Sequence, residues 1–238
     1  SEDTVPSLKI AVVGKPNAGK SSLVNKILGS ERSIVTPMAG TTRDAIDTLF
    51  YRGEKAYTII DTAGIRKKKN VDDNVEYYSN MRAFDAVRRS DVCLLVVDSA
   101  EGLTEQDVKI IGYVHEQGKP SVIVMNKWDL VEKDGKTLDT YRKDVYTKLS
   151  YMTYAPVLFI SAKTGAGCDK LIEIVERIAN TGKRRVKLFI PPAEGAVTGI
   201  LYKDGDDVTV DYREDGIYAE AVVDDKLYAK IKKYIIEE

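Results

Sequence analysis

The sequence has little cysteine and histidine and lacks any long apolar run. Its 238 residues include two cysteines, Cys93 and Cys168, and one histidine, His115. Two cysteines cannot form a disulfide framework, and no group of Cys and His is spaced like a zinc site. No segment approaches the about 20 apolar residues of a membrane span, and the first residues do not resemble a signal peptide. We therefore expect a cytoplasmic location and no membrane partner.

An excess of charge of one sign is also lacking, because the formal net charge is -1 at pH 7. This balance favours neither a general nucleic-acid-binding surface nor an acidic tail, and no DNA partner is expected. Hydrophobic residues make up 43% and charged residues 31%, which is typical of a globular protein with a sizeable core. The length predicts one core domain with a small appendage.

Short apolar runs alternate with segments of helical spacing through most of the chain. The runs predict buried strands by their length and β-branched content. They comprise residues 8–13, 57–60, 92–97, 121–125 and 157–160. The segments with helical spacing are 21–28, 75–89, 104–117, 138–149 and 169–179. This alternation predicts an α/β fold, a mostly parallel sheet flanked by helices, with ligands beyond the carboxyl ends of the strands.

The pattern changes near residue 183, which predicts a small α+β C-terminal domain over residues 183–238. Within it, residues 186–190 predict a strand and 193–202 a helix. Two alternating segments predict a β-hairpin around Asp215-Gly216, and helical spacing over 224–236 completes a β-α-β-β-α order. Residues 186–238 contain 7 Lys and Arg against 12 Asp and Glu, a net charge of -5. Residues 1–7 are predicted to be a linker or chain edge, which leaves 8–182 as the core domain.

A glycine-containing loop follows the first predicted strand and precedes a helix, as a phosphate-binding loop requires. Its glycines let backbone N–H groups point at phosphate oxygens, and the helix N-terminus adds partial positive charge. Lys20 is expected to reach the β- and γ-phosphates, and the Ser21 hydroxyl to bind Mg²⁺. A chance match in a glycine-containing turn is the alternative. The candidate loop residues are Gly14, Lys15, Pro16, Asn17, Ala18, Gly19, Lys20, Ser21 and Ser22.

Three further motifs come at the ends of predicted strands. Asp61-Thr62-Ala63-Gly64 offers a carboxylate that can hold Mg²⁺ through water and a Gly64 N–H that can sense a γ-phosphate. Asn126-Lys127-Trp128-Asp129 offers a carboxylate that accepts from guanine and rejects adenine, which has no matching donors. Ser161-Ala162-Lys163 offers the Ala162 N–H to the guanine carbonyl. Four such motifs in order predict a P-loop NTPase that binds GTP.

These segments resemble the second GTPase domain of the Der (EngA) family. The resemblance covers residues 8–181 and rests on GKPNAGKSSLVN, GTTRDAIDT, DTAGIRKK, NKWDL and FISAKTG. It implies a Ras-like G domain that hydrolyses GTP to GDP and phosphate as a molecular switch. Members of that family carry two tandem GTPase domains and assist assembly of the large ribosomal subunit. By the resemblance, Thr42 is a second Mg²⁺ ligand, beside Ser21 and Asp61.

Ile65 stands where Ras-like enzymes that orient their attacking water with glutamine carry that residue. An apolar side chain cannot align water, so catalytic positioning must come from elsewhere. The loop and the Gly-Thr-Thr-Arg segment also resemble the tRNA-modifying GTPase family MnmE, which employs K⁺ in place of an arginine finger. Asn17 as a turn residue and Arg43 as the positive group are the alternatives. The K⁺ ligands implied are Asn17, Thr36, Thr41 and the Met38 carbonyl.

The candidate catalytic residues are Lys20, Asn17, Thr42 and Gly64. Outside the loop, the residues expected to contact nucleotide are Asp61, Thr62, Ala63, Gly64, Ile65, Asn126, Lys127, Asp129, Ser161, Ala162 and Lys163. The expected cofactors are GTP or GDP, Mg²⁺ and K⁺.

The C-terminal segment departs from Der and resembles the small C-terminal domain of HflX, a ribosome-associated GTPase. The resemblance spans about 50 residues and implies a ribosomal contact, although the net charge of -5 weakens a grip on RNA phosphate. A ribosomal subunit or ribosomal RNA is the expected partner. A GTPase module of a tRNA-modification system, and an engineered fusion or fragment acting as a binding module, are alternatives. The basic run Arg66-Lys67-Lys68-Lys69 fits an RNA contact or a solvated loop, and His115 a surface residue.

Overall fold

A computed structural model describes residues 6–36, 47–66 and 73–237. The chain divides into two compact units, Ser1–Ala179 and Asn180–Glu238. None of the helices in the described ranges is long and apolar enough to cross a membrane.

The first unit contains a seven-stranded sheet in the order β2-β3-β4-β1-β5-β6-β7. The strands are β1 (Leu8–Val13), β2 (Ile34–Thr36), β3 (Thr48–Arg52), β4 (Lys55–Ile59), β5 (Val92–Asp98), β6 (Ser121–Asn126) and β7 (Val157–Phe159). The helices are α1 (Lys20–Leu28), α2 (Thr62–Arg66), α3 (Asp73–Arg89), α4 (Glu105–Glu116), α5 (Thr137–Lys148) and α6 (Cys168–Ala179). Strands β4, β1, β5, β6 and β7 are parallel, which confirms the predicted mostly parallel α/β sheet.

The parallel strands are largely apolar because most of their residues are buried on both faces of the sheet. Successive side chains of a strand point to opposite faces, so Ile10 and Val12 of β1 join one core cluster while Ala11 and Val13 join the other. The first cluster includes residues of α1 and α6, and the second includes residues of α3, α4 and α5. Cys93 is buried in the second cluster, and burial raises the pKa of its thiol.

The sequence did not predict β2, β3 or α2. Strands β2 and β3 pair antiparallel with each other, and β3 pairs with β4, so they extend one edge of the sheet. Ile34 and Val35 of β2 are exposed, and only Leu49 and Phe50 of β3 are buried. Such partly exposed edge strands produce no continuous apolar run, which is the signal that predicted the others.

The second unit has a four-stranded antiparallel sheet in the order β11-β8-β10-β9. Its elements are β8 (Arg184–Ile190), α7 (Ala196–Asp204), β9 (Asp206–Tyr212), β10 (Ile217–Val223), α8 (Asp225–Ile231) and β11 (Ile235–Glu237). The predicted hairpin is confirmed by β9 and β10, and alternate residues of β10 are buried. Together the two units confirm the predicted fold class of a P-loop-type α/β sheet plus a small α+β domain.

The predicted helix over residues 224–236 is wrong at its end. Helix α8 stops at Ile231, and Ile235 pairs with Leu188 of β8, so the order is β-α-β-β-α-β. Leu227, Ile231 and Ile235 have helical spacing, but Ile235 meets the core from a strand. A three-residue strand is too short to show alternation, so its pairing with β8 was hidden in the sequence.

Candidate nucleotide-binding site

The sequence motifs follow the carboxyl ends of four parallel strands. The first loop follows β1, Asp61 comes shortly after β4, Asn126 ends β6 and Ser161 comes shortly after β7. These strands belong to the parallel part of the sheet, so their carboxyl ends lie at the same edge. One edge therefore collects the motifs that the sequence assigns to phosphate and base.

The loop between β1 and α1 is tight. Gly19 has a φ of 99°, and a Cβ there would lie 2.1 Å from Nδ2 of Asn126. A Cβ on Gly14 would lie 2.4 Å from the carbonyl oxygen of Val96. Asn17 also has a left-handed backbone, with a φ of 66°, and its side chain is exposed. Glycine is thus required where the loop touches the neighbouring strands.

Lys20 curls back over this loop. Its Nζ donates to the carbonyl oxygens of Gly14 at 2.6 Å and Lys15 at 2.8 Å. The ammonium group is thereby held over the loop, beside the N-terminus of α1. A phosphate placed there would meet both the ammonium and the positive end of the helix.

Asp61 is buried and has a left-handed backbone, with a φ of 53°. Arg82 of α3 binds both of its carboxylate oxygens, and the Nε–Oδ2 distance is 3.0 Å. The N–H of Gly64 donates to the Asp61 carbonyl at 3.1 Å, and the Asp61 N–H donates to Asp47 at 2.8 Å. A guanidinium group therefore pairs with the carboxylate that the sequence assigns to Mg²⁺. Arg82 was not predicted from sequence.

Asn126 joins two loops of the site. Its side-chain Nδ2 donates to the Ala18 carbonyl at 3.0 Å, and its Oδ1 accepts from the Ala162 N–H at 2.9 Å. The N–H that the sequence assigned to the guanine carbonyl is thus bonded to Asn126 in this structure. This buried amide fixes the phosphate loop relative to the Ser161-Ala162-Lys163 loop.

Lys127 lies across the site between Asn17 and Asp98. Its Nζ donates to the Asn17 carbonyl at 2.7 Å and to Asp98 Oδ2 at 2.8 Å. Burial raises the pKa of Asp98, but hydrogen bonds from Lys127 and the Ala100 N–H outweigh it and leave the pKa below its ordinary value. The carboxylate is therefore ionised at neutral pH and keeps the lysine in place. Asp98 was missed, although it ends a buried strand of the same sheet.

The other predicted residues have the following positions. Asp129 lies exposed in a single 3₁₀ turn, Trp128–Leu130, and Trp128 packs against Tyr141 and Phe159. The first turn of α1 contains Ser21 and Ser22, and α2 contains Thr62, Ala63 and Ile65. Pro16 is half-buried and Lys163 is exposed. Thr36 ends β2. Outside the described residues lie Met38, Thr41, Thr42, Arg43, Lys67, Lys68 and Lys69.

Two predicted features lie away from this edge or lack a described side chain. His115 is on α4, and its Nδ1 is 2.9 Å from the hydroxyl of Tyr154. The side chain of Arg66 is not among those described. In the part of the chain that the structure describes, no three His, Cys, Asp or Glu residues cluster as a metal site would. A cation at this edge would thus depend on Asp61 with hydroxyl and phosphate oxygens.

Comparison with known proteins also indicates a GTPase. A family model described as 50S ribosome-binding GTPase matches residues 9–127, half of the chain. GTPase Der of Ruminiclostridium cellulolyticum is 55% identical over 186 residues, 78% of this chain and 42% of that protein. GTPase Der of Thermoanaerobacter sp. is 54% identical over 206 residues, 81% of this chain and 47% of that protein. The chain spans less than half the length of these relatives.

Solved structures of Era also resemble the chain. Era in complex with MgGDPNP and nucleotides 1506–1542 of 16S ribosomal RNA aligns with a TM-score of 0.57 and 30% identity, over 72% of this chain and 56% of that chain. A variant of Aquifex aeolicus Era bound to GDP·AlF4⁻ aligns with a TM-score of 0.55 and 30% identity, over 71% and 56%.

Proposed function

The chain belongs to the family of 50S ribosome-binding GTPases, and on this premise we propose that it binds GTP and hydrolyses it to GDP and phosphate. The observation that carries the proposal is the double hydrogen bond of Asn126. These bonds join the loop assigned to the phosphates to the loop assigned to the guanine base, so the same edge of the sheet presents the two binding loops. The test is phosphate release from GTP over many turnovers.

Guanine selection is assigned to Asp129. A carboxylate accepts from both the ring N–H and the exocyclic amine of guanine, whereas adenine does not present this pair of donors. The residue lies two positions after Lys127 and three after Asn126, and both of those side chains donate hydrogen bonds to the phosphate loop. The distance between Asp129, which contacts the base, and the loop that contacts the phosphates is therefore fixed.

Phosphate binding is assigned to Lys20, the loop N–H groups and the first turn of α1, including Ser21. From its place at the carbonyls of Gly14 and Lys15, the Lys20 ammonium reaches the β- and γ-phosphates. Gly64 N–H, now directed at Asp61, would turn to the γ-phosphate when that group is present. This exchange of partners couples the nucleotide state to the segment after β4.

The residues at this edge fit Mg²⁺. Asp61 supplies a buried carboxylate that already pairs with a cation, and Ser21 supplies a hydroxyl oxygen, a donor set that suits a hard divalent ion. Thr42 completes the proposed ligands. The solved Era complex contains MgGDPNP. Mg²⁺ would neutralise charge on the phosphates, and Asp61 would hold and orient it.

Arg82→Ala should raise the apparent affinity for Mg²⁺ in the presence of GDP. The guanidinium competes for the same carboxylate, and removing a charge-assisted pair worth about 1.4 kcal/mol corresponds to about tenfold. Titration of Mg²⁺ against the rate of GDP release measures this.

Arg88→Ala is the matched control, since it removes the same charge from the same helix and its partner is the exposed Asp85. An equal shift in both variants, or no shift in Arg82→Ala, would show that Arg82 does not compete with the metal.

We also propose that K⁺ assists hydrolysis, bound by Asn17 with Thr36, Thr41 and the Met38 carbonyl. The exposed Asn17 side chain lies in the phosphate loop, where it is free to turn toward phosphate. Ile65 packs against the buried cluster that covers one face of the sheet, so it supplies no polar group for water.

The proposed partner is a ribosomal subunit or ribosomal RNA, in the cytoplasm. The support is the family assignment and the Era complex with 16S ribosomal RNA. Large subunits added to the phosphate-release assay should change the rate if the partner is ribosomal.

A further inference from the structure

Lys15 is the one lysine of the phosphate loop whose ammonium turns away from the loop and into the protein. Its side chain is only 8% exposed. Its Nζ lies 2.5 Å from Glu101 and 3.7 Å from Asp107, and it donates to the Thr104 hydroxyl at 3.4 Å. These partners belong to the segment after β5 and the first turn of α4. The loop is thus tied to an element that no nucleotide motif includes.

Asp107 is the more deeply buried of the two carboxylates that pair with Lys15. Its carboxylate is 1% exposed and forms a capping box with Thr104, accepting from the Thr104 N–H at 2.9 Å. The other oxygen, Oδ1, has no hydrogen-bond partner among the described atoms. A buried charge without an opposite charge nearby is costly, so Asp107 depends on Lys15. Lys15 in turn needs carboxylate partners, because its own ammonium is also buried.

The backbone of Lys15 touches the catalytic candidate. Its carbonyl accepts from Lys20 Nζ at 2.8 Å and from the Ala18 N–H at 3.3 Å. The residue anchored to α4 by its side chain therefore holds Lys20 by its main chain. If the backbone moves at Lys15, the Lys20 ammonium that is bonded to it moves as well, and its position relative to the phosphates changes.

We propose that Lys15 is a positioning residue for GTP hydrolysis, acting through its ion pair with Glu101 and Asp107. The inference rests on the proposed function. Nucleotide binding is shared among the base contacts and several loop N–H groups, whereas the Lys20 contact strengthens as charge develops on the transferring phosphoryl group. Loss of the anchor therefore slows the chemical step more than it weakens binding.

The test compares three variants of the full chain. Lys15→Met alone leaves Asp107 unpaired, and its Tm should fall by on the order of 10 °C. Lys15→Met with Asp107→Asn removes both charges and keeps an oxygen for the Thr104 N–H, so its Tm should return to within about 3 °C of the parent. Lys15→Arg keeps the charge. The control is Lys170→Met with Glu173→Gln, which removes an exposed ion pair on α6.

Single-turnover GTP hydrolysis and GDP affinity are then measured. We expect the double variant at Lys15 and Asp107 to hydrolyse GTP on the order of 10- to 100-fold more slowly, with GDP affinity within about threefold. Lys15→Arg should recover most of the rate, and the control should match the parent. A stable double variant with the parent's rate overturns the inference, as does an equal loss of rate and GDP affinity.

If the double variant does not fold, Glu101→Gln replaces it, because Glu101 is exposed and Lys15 keeps Asp107 as a charged partner in that variant. It should slow hydrolysis severalfold, and an unchanged rate would contradict the inference. A parent chain that releases no phosphate would instead contradict the proposed function, so the two failures are distinguishable.

Discussion

Asp129→Asn is expected to weaken GTP binding by about 10²-fold or more and to make xanthosine nucleotides the better ligands. The amide replaces one acceptor of the carboxylate with a donor, which faces the donors of guanine but matches the keto group of xanthine. A site built to hydrogen-bond one base discriminates strongly because mismatched polar groups lose their partners. The neighbouring contacts of Lys127 with Asn17 and Asp98 do not involve Asp129, so the fold of the loop should persist.

Competition between labelled GDP and xanthosine diphosphate measures this change. Glu132→Gln is the matched control, since it neutralises an exposed carboxylate three residues further along the same loop. The control should bind GDP as the parent does. If Asp129→Asn also retained the parent's GDP affinity, the assignment of the guanine site would be wrong.

Replacing K⁺ with Na⁺ is expected to slow hydrolysis, by up to about 10³-fold, if K⁺ serves where other GTPases use an arginine finger. With Ile65 packed against the core, no side chain at that position can orient the attacking water. A monovalent cation beside the phosphates would offset the charge that develops on the transferring group. Steady-state rates at saturating GTP and matched ionic strength measure the effect.

Asn17→Ala should remove most of the difference between the two salts and leave GDP binding largely intact. Arg43→Ala serves as the comparison, because it removes the alternative positive group and should preserve the salt effect. Equal rates of the parent in K⁺ and Na⁺ would rule out the potassium mechanism. In that case Arg43 or a ribosomal group would supply the positive charge that offsets charge on the transferring phosphoryl group.

The buried strands were predictable because each is covered on both faces and is therefore largely apolar. Strand β5, for example, is buried from Val92 to Val97. The hairpin of β9 and β10 was predictable from alternation around Asp215-Gly216. Strands β2, β3 and β11 lie at or near sheet edges, where short length and partial exposure remove both signals.

The motif residues of the site could be found from sequence because each follows a strand in a local pattern. Their partners could not. Arg82 pairs with Asp61 across 21 residues, and Lys15 pairs with Glu101 across 86, so both contacts depend on the tertiary register of α3 and α4. Asp98 is the exception, since an acid ending a buried central strand is the same signal that identified Asp61.

The central claim is that this chain hydrolyses guanine nucleotides. The most direct test is phosphate release by the purified chain with Mg²⁺ and K⁺, using GTP and ATP in parallel at equal concentration. The expected result is many turnovers with GTP, essentially none with ATP, and loss of the GTP reaction in Lys20→Ala. Equal rates with the two nucleotides, or no turnover of GTP by the parent, would contradict it.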